Sequence, residues 1–292
     1  KVVISKETVT RLLSDVKDII KNPLLSENIY YVHDEADMLK GYALIFGPED
    51  CVYEGGAYLF EFNFPTNYPY SPPRVTYHTN DGRTRFNPNL YRNGKVCVSV
   101  LNTWKGEQWS SCQTIRSILL TLLTLFHNDP IVNEPGFKKD DPEAEKYNEI
   151  LEFKNYEIAI IGMLTKKHLP HSFLPFYTFI VDHFVKNADK MIASLIEASQ
   201  SASWVRHQFI AVIPENYTST AVKLANWYKK NKEALKLPNL KLIASLGAGV
   251  DHIMNDPDIP PQVFITRIIG EGLSGPMSNF CIGAILHHQH QF

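Results

Sequence analysis

Three strand-like segments separated by short turns constrain the fold of this 292-residue chain more than any other feature. Residues 29–32, 39–46 and 57–64 are rich in aromatic and aliphatic side chains, and the third segment is aromatic at every second position. The turn clusters at 47–50 and 55–56 leave no room for a crossover helix between the last two strands. The sequence therefore predicts an antiparallel meander rather than β-α-β units.

A helix is predicted before the meander and a fourth strand after it. Apolar residues recur at three- and four-residue spacing from 9 to 20, and Pro23 ends this amphipathic pattern. A corner at 65–73 contains four prolines, which cannot join the centre of a sheet, and it leads into a strand at 74–78.

Further helices are predicted in the second half of the chain. A broad apolar stripe indicates a core helix over 115–126, with Ser110 or Ser111 as its cap. The segments 143–166 and 176–199 have helical patterns and are separated by prolines. We therefore assign an α+β fold with an N-terminal helix, a four-stranded antiparallel meander and C-terminal helices.

Composition excludes several classes of function. The formal net charge of −2 gives no support for nucleic-acid binding or for an anionic membrane surface, and no apolar run is long enough to span a bilayer. The four cysteines are widely spaced and never form Cys-x-x-Cys, so we expect neither a zinc cluster nor a disulfide framework. We predict no metal, no cofactor and a reducing compartment, with a cytoplasmic or nuclear location.

Cys97 is the candidate nucleophile. It follows an Asn-Pro-Asn turn at 87–89 and an Asn-Gly turn at 93–94, so the chain around it is irregular and offers amide donors. A thiol in such a loop suits nucleophilic catalysis. The alternative is a buried structural cysteine, which is the more common role for an isolated cysteine, and the flanking residues must decide between the two roles.

The order of these elements and motifs resembles the ubiquitin-conjugating enzymes over residues 9–137, and through the helices to about 199. Tyr-Pro-Tyr-Ser-Pro-Pro at 68–73, Asn-Pro-Asn at 87–89, Cys97 eight residues after Asn89, and Trp109 before the core helix are landmarks of this family in this order. Asn-Glu-Pro-Gly at 133–136 resembles in particular its large members with helical C-terminal extensions.

This resemblance implies roles for individual residues. Cys97 would carry ubiquitin or a ubiquitin-like protein as a thioester, and Asn89 would stabilise the oxyanion or hold the active-site loop. Glu134 would be the acidic residue near the incoming lysine, with Asp129 as the alternative. The family usually has histidine where this chain has Asn87, a position that supports the loop.

The resemblance also implies partners. They are ubiquitin or a ubiquitin-like protein, the activating enzyme that supplies it, and a ubiquitin ligase. The ligase would dock near Arg11 on the first helix, Tyr70 in the proline corner and Ser111 in the loop before the core helix. For Tyr70, packing within the corner is an equally good interpretation. A non-catalytic ubiquitin-binding scaffold is the alternative function, and retention of Cys97 disfavours it.

Residues 201–292 have a different character. Leu-Pro-Asn-Leu-Lys-Leu-Ile at 237–243 and Gly-Ala-Gly-Val-Asp-His-Ile at 247–253 resemble the substrate-binding half of D-2-hydroxyacid dehydrogenases. We predict a small α/β annex there, following a ubiquitin-conjugating domain with helical extension at 1–200. The nicotinamide-binding motif of that family is missing, so a 2-hydroxyacid oxidoreductase fragment is the least favoured function.

Overall fold

The computed structural model describes residues 4–201, 205–207, 210–212, 215–235, 242–245 and 264–267. The α-helices in the described part are α1 (Lys6–Lys21), α2 (Ile115–Leu123), α3 (Pro142–Lys154), α4 (Gly162–Leu164), α5 (Tyr177–Ser201) and α6 (Glu215–Leu235). The strands there are β1 (Ile29–His33), β2 (Lys40–Phe46), β3 (Ala57–Asn63), β4 (Arg74–Tyr77), β5 (Val205–His207), β6 (Ile210–Val212), β7 (Leu242–Ser245) and β8 (Phe264–Arg267). Short 3₁₀ segments lie at Ser99–Leu101, Pro130–Asn133 and His171–Phe176.

Strands β1 to β4 form the predicted antiparallel meander in sequence order. Tyr31 pairs with Ala43, and Phe60 pairs with Ala43 on one side and with Tyr77 on the other. Each of the four strands lies within one or two residues of its predicted bounds. The meander and the helices around it confirm the α+β fold.

The aromatic face of β3 forms the main core together with α1 and α2. Tyr58, Phe60 and Phe62 are fully buried, and Leu12 of α1 and Ile118 of α2 are members of the same cluster. Buried aromatic side chains each remove a large apolar area from water, so this cluster is the main source of stability for the domain.

The C-terminal extension covers the opposite face of β1 and β2. The ring of His183 in α5 stacks on Phe46 at 3.9 Å between centroids, and Phe179 lies 4.6 Å from Tyr30. Phe173 lies edge-on to Tyr42 at 5.3 Å. Because both faces of the sheet are covered, β2 is apolar along most of its length instead of alternating.

Asn155 joins the extension to the turn between β2 and β3. Its Oδ1 accepts a hydrogen bond from the Tyr58 hydroxyl at 2.7 Å, and its Nδ2 donates to the Glu54 carbonyl oxygen at 2.8 Å. A Cβ on Gly56 would lie 1.9 Å from Asn155 Oδ1, so this approach requires glycine. Here the helix predicted over 143–166 is interrupted by a π-helical segment, Asn155–Ile161, which a hydrophobic period does not reveal.

The predicted cap of the core helix was wrong. The cap of α2 is Thr114, whose side chain accepts from the Ser117 amide, and not Ser110 or Ser111. Thr114 forms a reciprocal capping box with Ser117, which satisfies two main-chain donors at once. No helix was predicted where α6 lies, because its amphipathic pattern is weak.

The chain divides into two compact units, Lys1–Asn226 and Trp227–Phe292. In the first unit, β5 and β6 form an antiparallel hairpin that contacts α3. In the second unit, β7 and β8 pair in parallel, as expected for an α/β annex. The helix predicted at 276–288 and the glycine turn at 247–250 lie outside the described residues, and the domain boundary at 200/201 stays a prediction.

Within the described residues, no helix combines the length and apolarity that a membrane span requires.

The stacking of His183 on Phe46 predicts a pH-dependent stability. Burial, followed by the charge of nearby Lys186 and opposed by Glu54, lowers the pKa of His183 from 6.5 to about 4. The unfolded chain therefore binds this proton more readily than the folded chain, and stability falls as pH drops from about 6.5 toward 4. We expect the unfolding free energy of the wild type to fall between pH 7 and pH 5. In His183→Phe this fall should be smaller by about 2 kcal/mol.

Denaturant unfolding at the two pH values measures this difference. A remainder is expected in the variant, because burial also lowers the pKa values of His33, His78 and His168. His171→Gln, at an exposed position, is the matched control and should leave the pH dependence unchanged. An equal loss of stability in wild type and His183→Phe would contradict the prediction.

Candidate active site

Asn89 is hydrogen-bonded to both main-chain polar groups of Cys97, the amide and the carbonyl oxygen. The Cys97 amide donates to the Asn89 carbonyl oxygen at 2.9 Å, and the Asn89 side-chain Nδ2 donates to the Cys97 carbonyl oxygen. Asn89 is buried, and its Oδ1 is buried without a hydrogen-bond partner. Cys97 itself is only 2% exposed, so in this conformation the thiol side chain is almost entirely covered.

Asn87 organises the turn that carries Asn89. Its Oδ1 accepts from the Asn89 amide at 2.9 Å, and its Nδ2 donates to the Leu125 carbonyl oxygen at 2.8 Å. The residue is fully buried. Asparagine thus satisfies main-chain groups on the turn and at the end of α2, which is the supporting role expected at this position.

The Asn93–Gly94 turn brings the chain back to Cys97. Gly94 has a φ of 85°, and a Cβ there would lie 2.9 Å from the Tyr77 carbonyl oxygen. Its own carbonyl oxygen accepts from the Tyr77 amide at 2.8 Å. Only glycine combines this backbone conformation with so close an approach, so Gly94 fixes the loop to the end of β4.

Two buried tyrosines anchor the chain just before the turn. The Tyr53 hydroxyl donates to the Phe86 carbonyl oxygen and the Tyr147 hydroxyl donates to the Arg85 carbonyl oxygen, both at 2.7 Å. Burial raises the pKa of Tyr53 and of Tyr147, so both hydroxyls remain protonated donors.

Thr103 is a contributor that sequence analysis missed. Its hydroxyl accepts from the Val98 amide at 3.0 Å and donates to the Val96 carbonyl oxygen at 2.9 Å. These residues flank Cys97 on either side, so one side chain holds the strand-like segment that presents the thiol. A threonine in a turn-rich stretch close after the cysteine is the signal that could have identified it.

The two acidic candidates have different partners. Glu134 pairs with Arg85 at 3.0 Å, and Asp129 pairs with the exposed Lys139, also at 3.0 Å. Next to Glu134, the Asn133 side chain donates to Asn87 Oδ1 at 3.3 Å. The segment that carries Glu134 is therefore joined directly to the turn that carries Asn89.

The three predicted partner-binding residues lie around the N-terminal half of α1. The Arg11 guanidinium pairs with Asp15 at 2.9 Å and donates to the Ser111 carbonyl oxygen at 2.7 Å. Tyr70 is 67% exposed, and its hydroxyl lies 3.3 Å from a carboxylate oxygen of Glu7. Packing within the proline corner therefore covers only the smaller part of the Tyr70 side chain.

Two further cysteines lie in the described part of the chain. Cys51 is half-buried, Cys112 is exposed, and both are free thiols. Among the residues described, no group of three or more histidine, cysteine or acidic side chains is arranged to hold a metal ion.

Comparisons with known proteins place this site in a family. The model of the ubiquitin-conjugating enzyme family matches residues 11–155. The ubiquitin-conjugating enzymes E2 Z of Danio rerio and Homo sapiens are each 40% identical to this chain, over 187 and 181 residues. The matches cover 60% and 58% of this chain, and 56% and 51% of the relatives, so the chain spans about half of their length.

The solved structure of human ubiquitin-conjugating enzyme E2 G1 is 27% identical, with a TM-score of 0.37, and the match covers 43% of this chain and 98% of that one. The family model spans α1 to α3 and contains Asn89, Cys97 and Glu134. Over residues 11–155, the chain belongs to the ubiquitin-conjugating enzyme family.

Proposed function

We propose that this chain accepts ubiquitin, or a ubiquitin-like protein, from an activating enzyme as a thioester on Cys97 and transfers it to lysine amines, usually with a ligase. The observation that carries the proposal is the double hydrogen bond by which Asn89 holds Cys97 inside a domain of this family. The names of the two E2 Z relatives state the same class of activity for those proteins.

The first step is a thioester exchange. The Cys97 thiolate attacks the carbonyl carbon that joins the modifier's C-terminus to a cysteine of the activating enzyme. A C–S bond to Cys97 forms, the bond to the activating enzyme's sulfur breaks, and that sulfur leaves as a thiolate. Because one thioester replaces another, the exchange is nearly balanced in energy and needs no adjacent general base.

The second step transfers the modifier to an amine. A neutral lysine amine attacks the thioester carbonyl, a C–N bond forms, the C–S bond breaks, and Cys97 leaves as a thiolate. The amine loses its extra proton to a carboxylate or to water. Glu134 is our candidate for the carboxylate, since its segment is hydrogen-bonded to the Asn87 turn, whereas Asp129 pairs with a lysine that is 74% exposed.

Asn89 has two candidate roles in the second step. Its amide could donate to the oxyanion that forms as the amine attacks, or it could hold the loop in place. In this structure Nδ2 donates to the Cys97 carbonyl oxygen, which supports the loop-holding role in the resting state.

The thiol of Cys97 must become accessible before the activating enzyme and the modifier can react with it. Cys97 is 2% exposed, whereas thioester exchange needs a carbonyl carbon to approach the sulfur along an open path. We propose that the segments around Cys97 move when the activating enzyme or the modifier binds. Arg11, Tyr70 and Ser111 are the proposed docking surface for a ligase, and Tyr70 is 67% exposed.

Two lesser assignments complete the proposal. A cytoplasmic or nuclear location is proposed because Cys51, Cys97 and Cys112 are all free thiols. For residues 201–292, a dehydrogenase-like fragment is proposed on the motifs at 237–253 and on the parallel pairing of β7 with β8. The missing glycine motif predicts that this fragment does not bind nicotinamide cofactors.

Cys97→Ser tests the proposal directly. With activating enzyme, ATP and ubiquitin, wild type should give a band larger by one ubiquitin that dithiothreitol removes. Cys97→Ser should give a band that resists dithiothreitol, because an oxygen ester replaces the thioester, and Cys97→Ala should give none. Gel electrophoresis with and without reductant distinguishes these products.

Cys112→Ser is the matched control, since Cys112 is the exposed one of the three described cysteines and should be dispensable for charging. Alkylation by a maleimide should reach Cys112 before Cys97, which is covered. A wild-type protein that never forms the adduct with ubiquitin or with any ubiquitin-like protein would overturn the proposed function.

Asn89→Ala tests the hold on Cys97. The substitution removes the donor to the Cys97 carbonyl oxygen, and we expect the unfolding free energy to fall by about 1–3 kcal/mol. We also expect discharge of the charged enzyme onto free lysine to slow on the order of a hundredfold, as for a lost oxyanion donor or a misplaced reacting group. Single-turnover discharge of pre-charged enzyme, corrected for the charged fraction, measures this rate, and a wild-type rate would exclude both roles of Asn89.

A further inference from the structure

Arg85 connects the turn that carries Asn89 to the segment that carries Glu134. Its Nη2 lies 3.0 Å from a carboxylate oxygen of Glu134, and the same nitrogen donates to the Pro88 carbonyl oxygen. The guanidinium carbon lies 4.4 Å from the centroid of the Tyr91 ring, in the chain that follows the turn. One side chain therefore contacts three parts of the candidate active site.

The environment of Arg85 makes these contacts specific. Its side chain is only 14% exposed, so solvent screens the pair with Glu134 less than it screens a surface ion pair. The Tyr147 hydroxyl fixes its main-chain carbonyl oxygen at 2.7 Å. The rigid, planar guanidinium presents several donors at fixed angles, which a flexible lysine ammonium does not.

A second link runs parallel to the first. Asn87, in the same turn, accepts from the Asn133 side chain at 3.3 Å. The pairs Arg85–Glu134 and Asn87–Asn133 thus join the start of the turn, and the chain just before it, to neighbouring positions of the acidic segment. The alternative acid, Asp129, has as its ion-pair partner Lys139, whose side chain is 74% exposed.

We infer that Arg85 is a positioning residue for attack of the lysine amine. It acts through Glu134, by holding the carboxylate in a fixed position relative to the turn and to Cys97, and it does not itself touch the reacting atoms. This inference rests on the proposed function. Since only the amine-attack step uses Glu134, loss of Arg85 should affect discharge and leave charging by the activating enzyme nearly intact.

The experiment compares Arg85→Gln, Glu134→Gln and the double variant with wild type. Each protein is charged with ubiquitin, and discharge is then followed at increasing concentrations of free lysine. We expect Arg85→Gln to lower the maximal discharge rate on the order of tenfold with little change in the lysine concentration at half-maximum, because positioning is lost and amine binding is not. The double variant should be no slower than Glu134→Gln alone.

Two further variants separate positioning from simple structural support. Arg85→Lys keeps the charge beside Glu134 and should recover part of the discharge rate. Lys139→Gln breaks the Asp129 pair and should discharge at the wild-type rate. Thermal unfolding of every variant shows whether a fall in rate merely follows a fall in stability, because a purely structural role would lower charging and discharge together.

Several results would overturn the inference. One is a wild-type discharge rate in Arg85→Gln. Another is a double variant whose discharge rate falls by the product of the two single-variant factors. The third is a fall in the discharge rate of Lys139→Gln as large as that of Arg85→Gln. A failure of wild type to charge at all is a different result, because it refutes the proposed function itself. If wild type charges and discharges while Arg85→Gln does so equally well, only the inference about Arg85 fails.

Discussion

Hydrogen bonds to main-chain groups hold the irregular segment from Phe86 to Cys97, and the candidate site depends on them. A buried loop has no sheet or helix to satisfy its amides and carbonyl oxygens, and each unsatisfied group would cost free energy. Asn87, Asn89, Tyr53 and Thr103 supply the missing partners. The loop can therefore be buried beside the aromatic core and still keep one conformation.

This constraint explains which side chains surround Cys97. Amide side chains carry both a donor and an acceptor, so a single asparagine can bind an N–H and a C=O group of the chain. Asn87 accepts from the Asn89 amide and donates to the Leu125 carbonyl oxygen. The same bonds join the loop to α2, and Asn133 extends the network to the acidic segment. Loop geometry and the position of Glu134 are thus parts of one network.

Elements with a clear hydrophobic period and turn residues were predictable from the sequence, and features that depend on individual hydrogen bonds or ion pairs were not. The four strands of the meander follow from alternation and turn residues, and they lie close to their predicted bounds. The Thr114 cap and the π-helical segment after α3 depend on individual hydrogen bonds, which periodicity does not encode. Cys97 and Asn89 were proposed as site residues from turn signals and family motifs. The pairing of Arg85 with Glu134 joins residues about fifty positions apart, which no local pattern could indicate.

The helical extension changes which surfaces of the domain remain for partners. In a meander with one open face, β1 and β2 would expose Tyr30, Tyr42 and Phe46 to solvent. Here the rings of Phe179, Phe173 and His183 cover them, and His183 contributes its apolar ring in the neutral form. Since this face of the sheet is occupied, contacts with other proteins must use other surfaces, and the exposed Tyr70 beside α1 belongs to one of them. The extension therefore stabilises the sheet and at the same time restricts where a partner can bind.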